Sequence, residues 1–456
     1  MHNPIVYPIY ILQLENYHLG RFFHAFFSRK TLANGEMRQE IKITKKLFAI
    51  ITIAVALEAV AAYVLTTILP LYVAIICIAV MLIFFFIFLV AATILLMPFD
   101  SAVKSVIIWR ARQKLRGFRN LTIIGITGSF GKTTMKEILS TVLGEKFRVF
   151  KTPENINTPV GIARLIQNKL PLDTEIFIVE MGAYHRGDIA ALCRLTPPDI
   201  SILTGINESH LERFGSMENT VAAKFEIVDH ASRSGTVVLN MDSRLVAKNY
   251  AHHVATRRVI TYTSEGSEAN FLEDGSGFEL DGIRIPLLGE YAVGMVRAAR
   301  ALGELLGMSE SQINSGISHI KPAPHRLERI HTANDIVVID DSYNGNPDGA
   351  RAAISTLNRF KNRRKIYITP GLVEMGDKTR EIHYDIGARL RAVADLVILI
   401  RNSVTPEIER GLIEKGFDPS NIVWFDSASE AHSAIGKISR AGDVLLFQND
   451  WPDNYS

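Results

Sequence analysis

Hydrophobic residues are concentrated in two long runs near the start of the chain. Residues 47–69 form an apolar run broken by one charge, Glu58, and after Pro70 the run 71–97 carries no charge at all. A helix needs about 20 residues to cross the hydrocarbon core of a bilayer, and both runs reach that length. A buried core helix or a signal peptide is the alternative, but a signal peptide has a shorter apolar region and no second, longer span after it. The pattern therefore predicts a transmembrane helical hairpin.

Basic residues flank this pair of apolar runs on both sides. Basic flanks stay on the cytoplasmic side of a membrane, so the hairpin is expected to turn outside near Pro70 and return. The large C-terminal part is then cytoplasmic, anchored to the inner membrane, where ATP is available. The basic residues are Arg21, Arg29, Lys30, Arg38, Lys42, Lys45 and Lys46 before the runs, and Lys104, Arg110, Arg112, Lys114, Arg116 and Arg119 after them.

The segment 7–30 precedes the hairpin and is rich in Tyr and Phe with interleaved basic residues. Its apolar positions could form one face of a helix that lies on the inner leaflet. An ordinary packed helix explains the same pattern equally well, so both interpretations stay open.

From Leu121 onward the pattern changes to alternating strands and helices. Residues 121–127 predict a buried strand, 135–143 predict a helix, and Gly128-Ser-Phe-Gly-Lys-Thr-Thr134 lies between them. A strand, a glycine-rich loop and a helix form the context that a phosphate loop needs, with backbone N–H groups around the phosphates and a lysine on the terminal ones. The strict spacing of this motif wants a glycine at 126, where the chain has Ile126, and Gly128 is the nearer glycine. The sequence predicts nucleotide binding at this loop.

Further strands in this region end in polar residues. The strand that starts at Ile176 ends in Glu180, and the strand 200–206 is followed by Asn207-Glu-Ser-His210. Acidic residues at strand ends beside a phosphate loop commonly hold Mg²⁺. Lys224 follows on a predicted helix after Ser216. The central region is thus expected to be a parallel-sheet domain of the phosphate-loop ATPase type.

The C-terminal region repeats the α/β pattern on a smaller scale. After the linker-like Pro322-Ala-Pro324, strands are predicted at 336–341, 365–369, 397–401 and 444–447, and a helix at about 348–360. This pattern predicts a Rossmann-like α/β domain with a parallel sheet. The expected organisation is a membrane module over 1–118, a central ATP-binding domain over 119–321 and a C-terminal domain over 322–456.

The charge balance and the cysteine count limit the binding partners and metal sites that the chain is expected to have. The chain has 50 basic and 47 acidic residues, so nucleic acid is not an expected partner. Its two cysteines, Cys77 and Cys193, support neither a disulfide framework nor a cysteine metal site, which suits a cytoplasmic setting.

Together, several ordered motifs resemble the Mur ligases, most closely those of the MurF type, which add D-alanyl-D-alanine to a nucleotide-linked muramyl tripeptide. The resemblance covers about residues 121–448. Its carriers are Thr127-Gly-Ser-Phe-Gly-Lys-Thr-Thr134, Asn155-Ile-Asn-Thr-Pro-Val-Gly161, Glu180-Met-Gly-Ala183, Asn207 to His210, Lys224, Arg326, Asp340-Asp-Ser-Tyr-Asn344 and Pro370-Gly-Leu-Val-Glu-Met-Gly376.

The resemblance implies an ADP-forming carbon–nitrogen ligase that works through an acyl phosphate. It implies that Lys132, His210 and Lys224 carry catalysis, with Lys224 carbamylated. Asn155, Asn157 and Thr158 would face the acyl substrate, although a plain turn is their simpler explanation. The ATP-binding residues implied are Gly128, Ser129, Gly131, Lys132, Thr133, Thr134, Asn207, Arg326, Asp341 and Asn344. Two Mg²⁺ ions would be held by Thr133, Glu180, His210 and the Lys224 carbamate.

Three departures from the family pattern change the substrate hypothesis. The uridine-nucleotide domain that usually precedes the phosphate loop is replaced by the apolar hairpin. The adenine-side pattern, which has two asparagines in the family, is here Gly289-Glu-Tyr-Ala-Val-Gly-Met295. The basic C-terminal signature is replaced by Phe447-Gln-Asn-Asp-Trp-Pro-Asp453. The expected partners are a peptide-bearing cell-wall precursor in nucleotide-linked or lipid-linked form, an amine or dipeptide, and the membrane.

Two other functions remain open at this point. One is a related ligase that adds another amine to a cell-wall or polymer precursor. The other is a nucleotide-binding scaffold of a wall-synthesis complex, although a scaffold has no need of Lys132, Glu180, His210 and Lys224 together.

Overall fold

The structure is a computed structural model that describes residues 5–15, 17–27, 41–153, 156–232, 234–266, 269–272, 274–332, 335–343 and 345–449. The chain divides into two compact units, residues 1–107 and the remainder from Ile108. Each unit has its own hydrophobic core.

The first unit is helical in its described part. Two short helices come first, α1 (Val6–Leu14) and α2 (Leu19–Phe27), so the segment 7–30 does not form one continuous helix. The long helix α3 (Lys45–Ile68) follows, and it begins where the Thr44 hydroxyl accepts a hydrogen bond from the backbone N–H of Leu47. A core cluster that includes Leu12, Phe22, Leu47 and Leu89 joins these helices to the part of α5 (Phe86–Arg116) that lies in this unit.

The second apolar run differs from its prediction. Instead of one helix over 71–97, the chain forms α4 (Leu71–Ile83), bends at Phe84 and Phe85, and continues as α5, which extends well beyond residue 97. The helix α5 continues through Pro98 and past the end of the apolar run to Arg116, because hydropathy marks apolar content and does not mark where a helix ends. The predicted two-helix hairpin is thus wrong in its second helix.

Two helices of this region are long and apolar enough to cross a membrane by length and composition. They are α3 and α5, and only 17% of the most apolar window of each is buried inside the protein. The helix α4 is shorter, and many of its large apolar side chains, including Tyr72, Ile75 and Ile76, are exposed. Such extensive apolar exposure marks a surface that another apolar phase or partner covers.

The second unit begins with a parallel six-stranded sheet in the order β2-β3-β1-β4-β5-β6. Its inner strands are buried on both faces and read as continuous apolar runs, as parallel strands covered by helices do. The strands are β1 (Thr122–Thr127), β2 (Val149–Lys151), β3 (Ile176–Glu180), β4 (Ile200–Leu203), β5 (Thr236–Asn240) and β6 (Arg258–Tyr262).

Helices flank this sheet, and a small antiparallel sheet follows it. The helices are α6 (Lys132–Gly144), α7 (Pro159–Lys169), α8 (Asp188–Leu195), α9 (Leu211–Phe214), α10 (Met217–Asp229), α11 (Arg244–Asn249), α12 (Tyr291–Leu305) and α13 (Glu310–Ser318). The small sheet consists of β7 (Asn270–Phe271), β8 (Phe278–Leu280) and β9 (Ile283–Ile285). The predicted parallel-sheet architecture of the central region is confirmed.

A second six-stranded sheet follows, in the order β10-β11-β15-β12-β13-β14. It is parallel except for β10, which pairs antiparallel with β11. Its strands are β10 (Glu328–His331), β11 (Val337–Asp341), β12 (Lys365–Thr369), β13 (Leu396–Ile400), β14 (Ile422–Phe425) and β15 (Val444–Gln448), and its helices are α14 (Pro347–Asn358), α15 (Thr379–Leu390), α16 (Thr405–Glu414) and α17 (Ala428–Ile438). The four strands predicted here lie within one residue of their observed ends.

Candidate active site

The loop between β1 and α6 has the backbone of a phosphate cradle. A Cβ atom on Gly128 would lie 2.1 Å from the Thr204 hydroxyl oxygen, so only glycine fits there. Gly131, with a φ of 73°, adopts the left-handed conformation directly before α6 begins at Lys132. The backbone N–H of Ser129 is held by the carbonyl of Gly205 at 2.8 Å. Lys132, Thr133 and Thr134 line the cleft at the start of α6, where the N–H groups of a first helical turn would stabilise an anion.

Lys132 folds back over this loop. Its ammonium donates to the Gly128 carbonyl at 2.8 Å, inside the space that the loop encloses. Burial lowers the pKa of Lys132, and the nearby Glu180 carboxylate opposes this shift. The ammonium thus lies in a low-dielectric position where a phosphate would gain a strong charge-assisted contact.

Glu180 ends β3 beside the start of α6. Its Oε2 accepts from the Thr133 hydroxyl at 3.2 Å and from the Lys136 ammonium at 2.8 Å. Burial alone would raise the pKa of Glu180, but Lys136 and Lys132 outweigh burial and hold that pKa below its usual range. A hydroxyl and an ionised carboxylate at this separation are the hard oxygen donors that Mg²⁺ prefers, so the residues present fit that ion.

His210 stands at the N-terminus of α9 in a left-handed backbone conformation, with a φ of 59°. Its Nδ1 lies 2.5 Å from Oε2 of Glu374, a residue of the C-terminal region. Its ring packs edge-on to Tyr184 at 5.0 Å between centroids. Desolvation lowers the pKa of His210, and Glu374 opposes that shift. The imidazole is therefore held at one nitrogen and lines the cleft.

Lys224 lies on α10 with 2% of its surface exposed. Its ammonium is 5.6 Å from the centre of the Phe214 ring, and none of the ion pairs among the described residues includes it. Burial, followed by repulsion from Lys132, lowers the pKa of Lys224 to about 7. A large fraction of this lysine is a neutral amine near neutral pH, which is the form that reacts as a nucleophile.

The three residues predicted to face the acyl substrate do not all lie at the cleft in the described part of the structure. Asn157 lines the cleft and packs against Gly182, where an added Cβ would lie 2.8 Å from the Asn157 side chain. The Thr158 hydroxyl instead accepts from the backbone N–H of Gly161 and caps α7. Asn155 lies outside the described residues. Only Asn157 is therefore placed by the structure where a substrate could contact it.

The C-terminal region supplies the opposite wall. The Arg326 guanidinium donates to the Tyr343 carbonyl and lies over the Tyr343 ring at 4.8 Å. Asp341, at the end of β11, is 9% exposed, and burial raises its pKa to about 7 although Arg326 opposes the shift. Asn344 lies outside the described residues. Arg326 and Asp341 both line the cleft, as the resemblance implies.

Asn207 connects the two walls. Its side-chain amide donates to Oδ1 of Asn346 at 3.0 Å and to Oδ2 of Asp348 at 2.9 Å. Its own Oδ1 accepts from the backbone N–H of Ser209. With 3% of its surface exposed, Asn207 acts in this structure as a bridge between the central and C-terminal regions.

The segment that replaces the adenine-side pattern opens α12. Ala292 and Met295 are buried in the central core, at 1% and 0% exposure, and so offer no polar atom to the cleft. Tyr291 lines the cleft, and burial raises its pKa. The two asparagines of the family pattern are thus replaced by side chains that pack inward.

All these walls enclose one cleft of about 1300 Å³. The structure brings together most of the predicted ATP and metal residues. Those lining the cleft are Ser129, Gly131, Lys132, Thr133, Thr134, Glu180, Asn207, His210, Lys224, Arg326 and Asp341.

Sequence reasoning missed three residues that contact side chains lining this site. Lys136 lies one helical turn after Lys132 on α6, so its spacing could have placed it on the same face. Glu374 lies in the segment 370–376, which carried the resemblance but received no function. Arg213 donates to Glu374 at 2.7 Å and stacks on Tyr184, and no sequence signal pointed to it.

Comparison with known proteins agrees with this geometry. The family described as Mur ligase middle domain matches residues 126–302, and the family described as Mur ligase, glutamate ligase domain matches residues 325–448. The UDP-N-acetylmuramoyl-tripeptide–D-alanyl-D-alanine ligase of Bacillus subtilis is 30% identical over 332 residues, which cover 72% of this chain and 72% of that protein. The ligase of the same name from Synechocystis is 30% identical over 335 residues, covering 72% and 71%.

Solved structures give the same result for the fold. The MurF ligase of Thermotoga maritima in complex with ADP superposes with a TM-score of 0.65 at 28% identity, covering 76% of this chain and 80% of that one. MurF from Acinetobacter baumannii superposes with a TM-score of 0.67 over 76% and 77% of the two chains, and at 24% identity it supports the fold alone.

Proposed function

This chain belongs to the Mur ligase family, and we propose that it joins D-alanyl-D-alanine to the peptide carboxylate of a muramyl tripeptide precursor of peptidoglycan. It is an ATP-dependent, ADP-forming ligase. The observation that carries the proposal is the convergence of Lys132, Glu180, His210 and Lys224 on one cleft. The names of the two relatives in Bacillus and Synechocystis supply the tripeptide and dipeptide substrates.

The phosphate end of the cleft is assigned to the loop before α6. The N–H groups at the start of α6 would surround the β- and γ-phosphates of ATP, and Lys132 would exchange its contact with the Gly128 carbonyl for a phosphate oxygen. Thr133 and Glu180 would hold Mg²⁺, which withdraws charge from the phosphates when bound. On the other wall, Arg326 and Asp341 would contact the nucleotide.

A second Mg²⁺ is assigned to His210 and a carbamate of Lys224. The neutral Lys224 amine adds to CO₂, a C–N bond forms, and one proton is released, so the cation becomes an anionic oxygen ligand. Three features support this assignment: the burial of Lys224, its lack of a carboxylate partner among the described ion pairs, and its pKa of about 7. ¹³C NMR on protein equilibrated with ¹³C-bicarbonate tests this assignment. A carbamate resonance is expected in the parent protein and should be absent in Lys224→Met.

The reaction follows from these positions. A carboxylate oxygen of the peptide attacks the γ-phosphorus, the bond to the β-phosphate oxygen breaks, and ADP leaves. The amine nitrogen then attacks the acyl carbon, the C–N bond forms, and phosphate leaves with the loss of a proton from the amine. Lys132 and the Mg²⁺ ions that the proposed ligands would hold offset the charge of the phosphates, and Asn157 would face the acyl group. The protein acts mainly by positioning and charge neutralisation.

The proposed domains are a membrane module over 1–118, a central domain over 119–321 and a C-terminal domain over 322–456. Contacts between the last two domains complete the cleft, because Arg326 and Asp341 line it from the C-terminal side and Glu374 contacts His210. Domain closure of this kind would exclude water from the acyl phosphate.

The membrane module is proposed to hold the enzyme at the inner face of the cytoplasmic membrane. The apolar exposure of α3 and α5 supports this, since only 17% of the most apolar window of each helix is buried inside the protein. An anchored site would meet a lipid-linked precursor at a raised effective concentration. Lipid-linked muramyl tripeptide is therefore the proposed preferred acceptor, with the nucleotide-linked form as the alternative.

A phosphate-release assay on the full chain in detergent micelles tests the proposal. D-alanyl-D-alanine is supplied with the nucleotide-linked tripeptide or with its lipid-linked form, and both are expected to release phosphate, the lipid-linked form faster. Faster turnover of the soluble form would contradict the lipid-linked preference. Activity with another amine alone would favour the related ligase, and tight ATP binding without release from any substrate would favour the scaffold.

A further inference from the structure

Glu374 belongs to a loop that is held rigidly at the C-terminal end of β12. Leu372 and Met375 are buried in the core of the C-terminal domain on either side of it. The backbone N–H of Leu372 donates to Nε2 of His383 at 2.8 Å, and the Nδ1 of His383 lies 2.6 Å from the Thr379 carbonyl. The fully buried His383 thus ties the loop that carries Glu374 to α15.

The Glu374 side chain contacts two residues of the central domain. One carboxylate oxygen lies 2.5 Å from Nδ1 of His210, and the other accepts from Arg213 Nε at 2.7 Å. The backbone also joins, since the N–H of Glu212 donates to the Glu374 carbonyl at 3.2 Å. Only 7% of the Glu374 side chain is exposed. A carboxylate with both oxygens engaged and little freedom fixes the orientation of its partners.

Glu374 and His210 both have unusual backbone conformations. Glu374 has a φ of 60° and His210 a φ of 59°, a region that side-chain-bearing residues seldom adopt outside functional or tightly determined sites. The two conformations aim the carboxylate and the imidazole at each other across the domain boundary.

A carboxylate on one ring nitrogen decides what the other can do. When Nδ1 carries the proton and donates it to a carboxylate, Nε2 keeps its lone pair and can bind a metal ion. Without such a partner a neutral imidazole exchanges between tautomers, and a share of the molecules presents an N–H to the metal. A metal site that depends on His210 therefore needs a group on Nδ1.

We propose that Glu374 is a positioning residue that holds His210 in the Nδ1-protonated tautomer, with Nε2 directed to the metal site of the cleft. This rests on the proposed function, because it assigns His210 to a metal. It also makes that metal ligand complete only when the C-terminal domain, which carries Glu374, is docked on the central domain. Arg213 holds the carboxylate in position, since it occupies the second oxygen.

The tautomer of His210 is measured by ¹⁵N NMR on the full chain labelled at histidine, in detergent micelles at about pH 8, where a neutral ring is expected. His210→Gln identifies the resonances. We expect protonated Nδ1 and unprotonated Nε2 in the parent, and a mixture with Nε2–H in Glu374→Ala. Asp377→Asn removes an exposed carboxylate of the same loop and is expected to leave the resonances unchanged. An unchanged tautomer in Glu374→Ala, or Nε2–H in the parent, would overturn the proposal.

Kinetics provide the second readout. Glu374→Ala is expected to raise the Mg²⁺ concentration for half-maximal rate and lower kcat by about 10–100-fold, with little change in KM for ATP. Glu374→Gln, which can still accept from Nδ1, is expected to recover part of the loss. If Glu374→Ala instead raised the KM for ATP and left the Mg²⁺ concentration for half-maximal rate unchanged, the proposal would be contradicted. If the parent turns over no substrate, the proposed function fails, while the NMR result still decides what Glu374 does to His210.

Discussion

Lys136 and Glu180 form an ion pair of 2.8 Å in which the lysine side chain is fully buried and the carboxylate side chain is 9% exposed. The same carboxylate oxygen accepts from Thr133, one of the residues assigned to Mg²⁺. Lys136 therefore neutralises the carboxylate that is proposed to bind Mg²⁺. Removal of one partner from a buried pair leaves an uncompensated charge, which is costly in a low-dielectric interior.

The first prediction concerns this pair. Lys136→Met should lower the free energy of unfolding by about 3 kcal/mol, because Glu180 is left buried and unpaired. Mg²⁺ would then supply the missing positive charge, so the rise in Tm on adding Mg²⁺ should be larger in this variant than in the parent. Thermal unfolding with and without Mg²⁺ measures both effects. Lys136→Arg, which keeps the charge, is the control, and equal Mg²⁺ shifts in all three proteins would contradict the prediction.

The second prediction concerns the phosphate loop. Lys132→Ala should reduce turnover at least about 100-fold, since one preorganised cation on the transferring phosphoryl group is lost. The phosphate-release assay measures it. Lys437→Ala, on the exposed face of α17, is the matched control and should keep full activity. Turnover retained in Lys132→Ala would refute the assignment of the site.

The third prediction uses the pKa of Lys224. Its folded-state pKa of about 7 lies below the ordinary value of 10.5, so the folded state binds this proton more weakly than the unfolded state does. Stability therefore rises with pH between these two values, and the penalty of burying the charge is complete below about pH 7. Lys224→Met removes the penalty, and it should raise the free energy of unfolding by at least about 1 kcal/mol at about pH 6.

The gain should shrink as the pH rises toward 10, where the parent lysine is neutral in the folded protein. Unfolding at a series of pH values in the absence of Mg²⁺ gives the measurement. The same variant should lack ligase activity because the carbamate cannot form. A gain in stability that grows with pH would show that the sign of the shift is wrong.

The fourth prediction concerns orientation in the membrane. In a Cys77→Ser background, Pro70→Cys should react with an impermeant thiol reagent in intact spheroplasts, because the turn after α3 is expected outside. Ser433→Cys, exposed on α17, should react only after lysis, and the buried Cys193 should stay unlabelled. Labelling of Ser433→Cys in intact spheroplasts, or of neither position before lysis, would contradict the proposed topology.

Several inner strands and helices, and the phosphate loop, could be predicted from the sequence alone. Strand and helix periodicity placed β1, α6, β12 and β15 within a few residues, because parallel strands buried on both faces are continuous apolar runs. Gly128 and Gly131 predicted a phosphate-binding loop, and the structure shows that the backbone geometry at both positions excludes other residues. Local chemistry is enough for such features.

Only the tertiary structure decided which side chains act on each other. The contact between His210 and Glu374 joins residues 164 positions apart, and no local pattern encodes a pairing across two domains. Thr158 matched a substrate motif, yet its hydroxyl caps a helix. The break at Phe84 and Phe85 was also invisible to hydropathy, which measures apolar content and not helix continuity. Function here depends on distances between elements, and packing of the whole chain sets those distances.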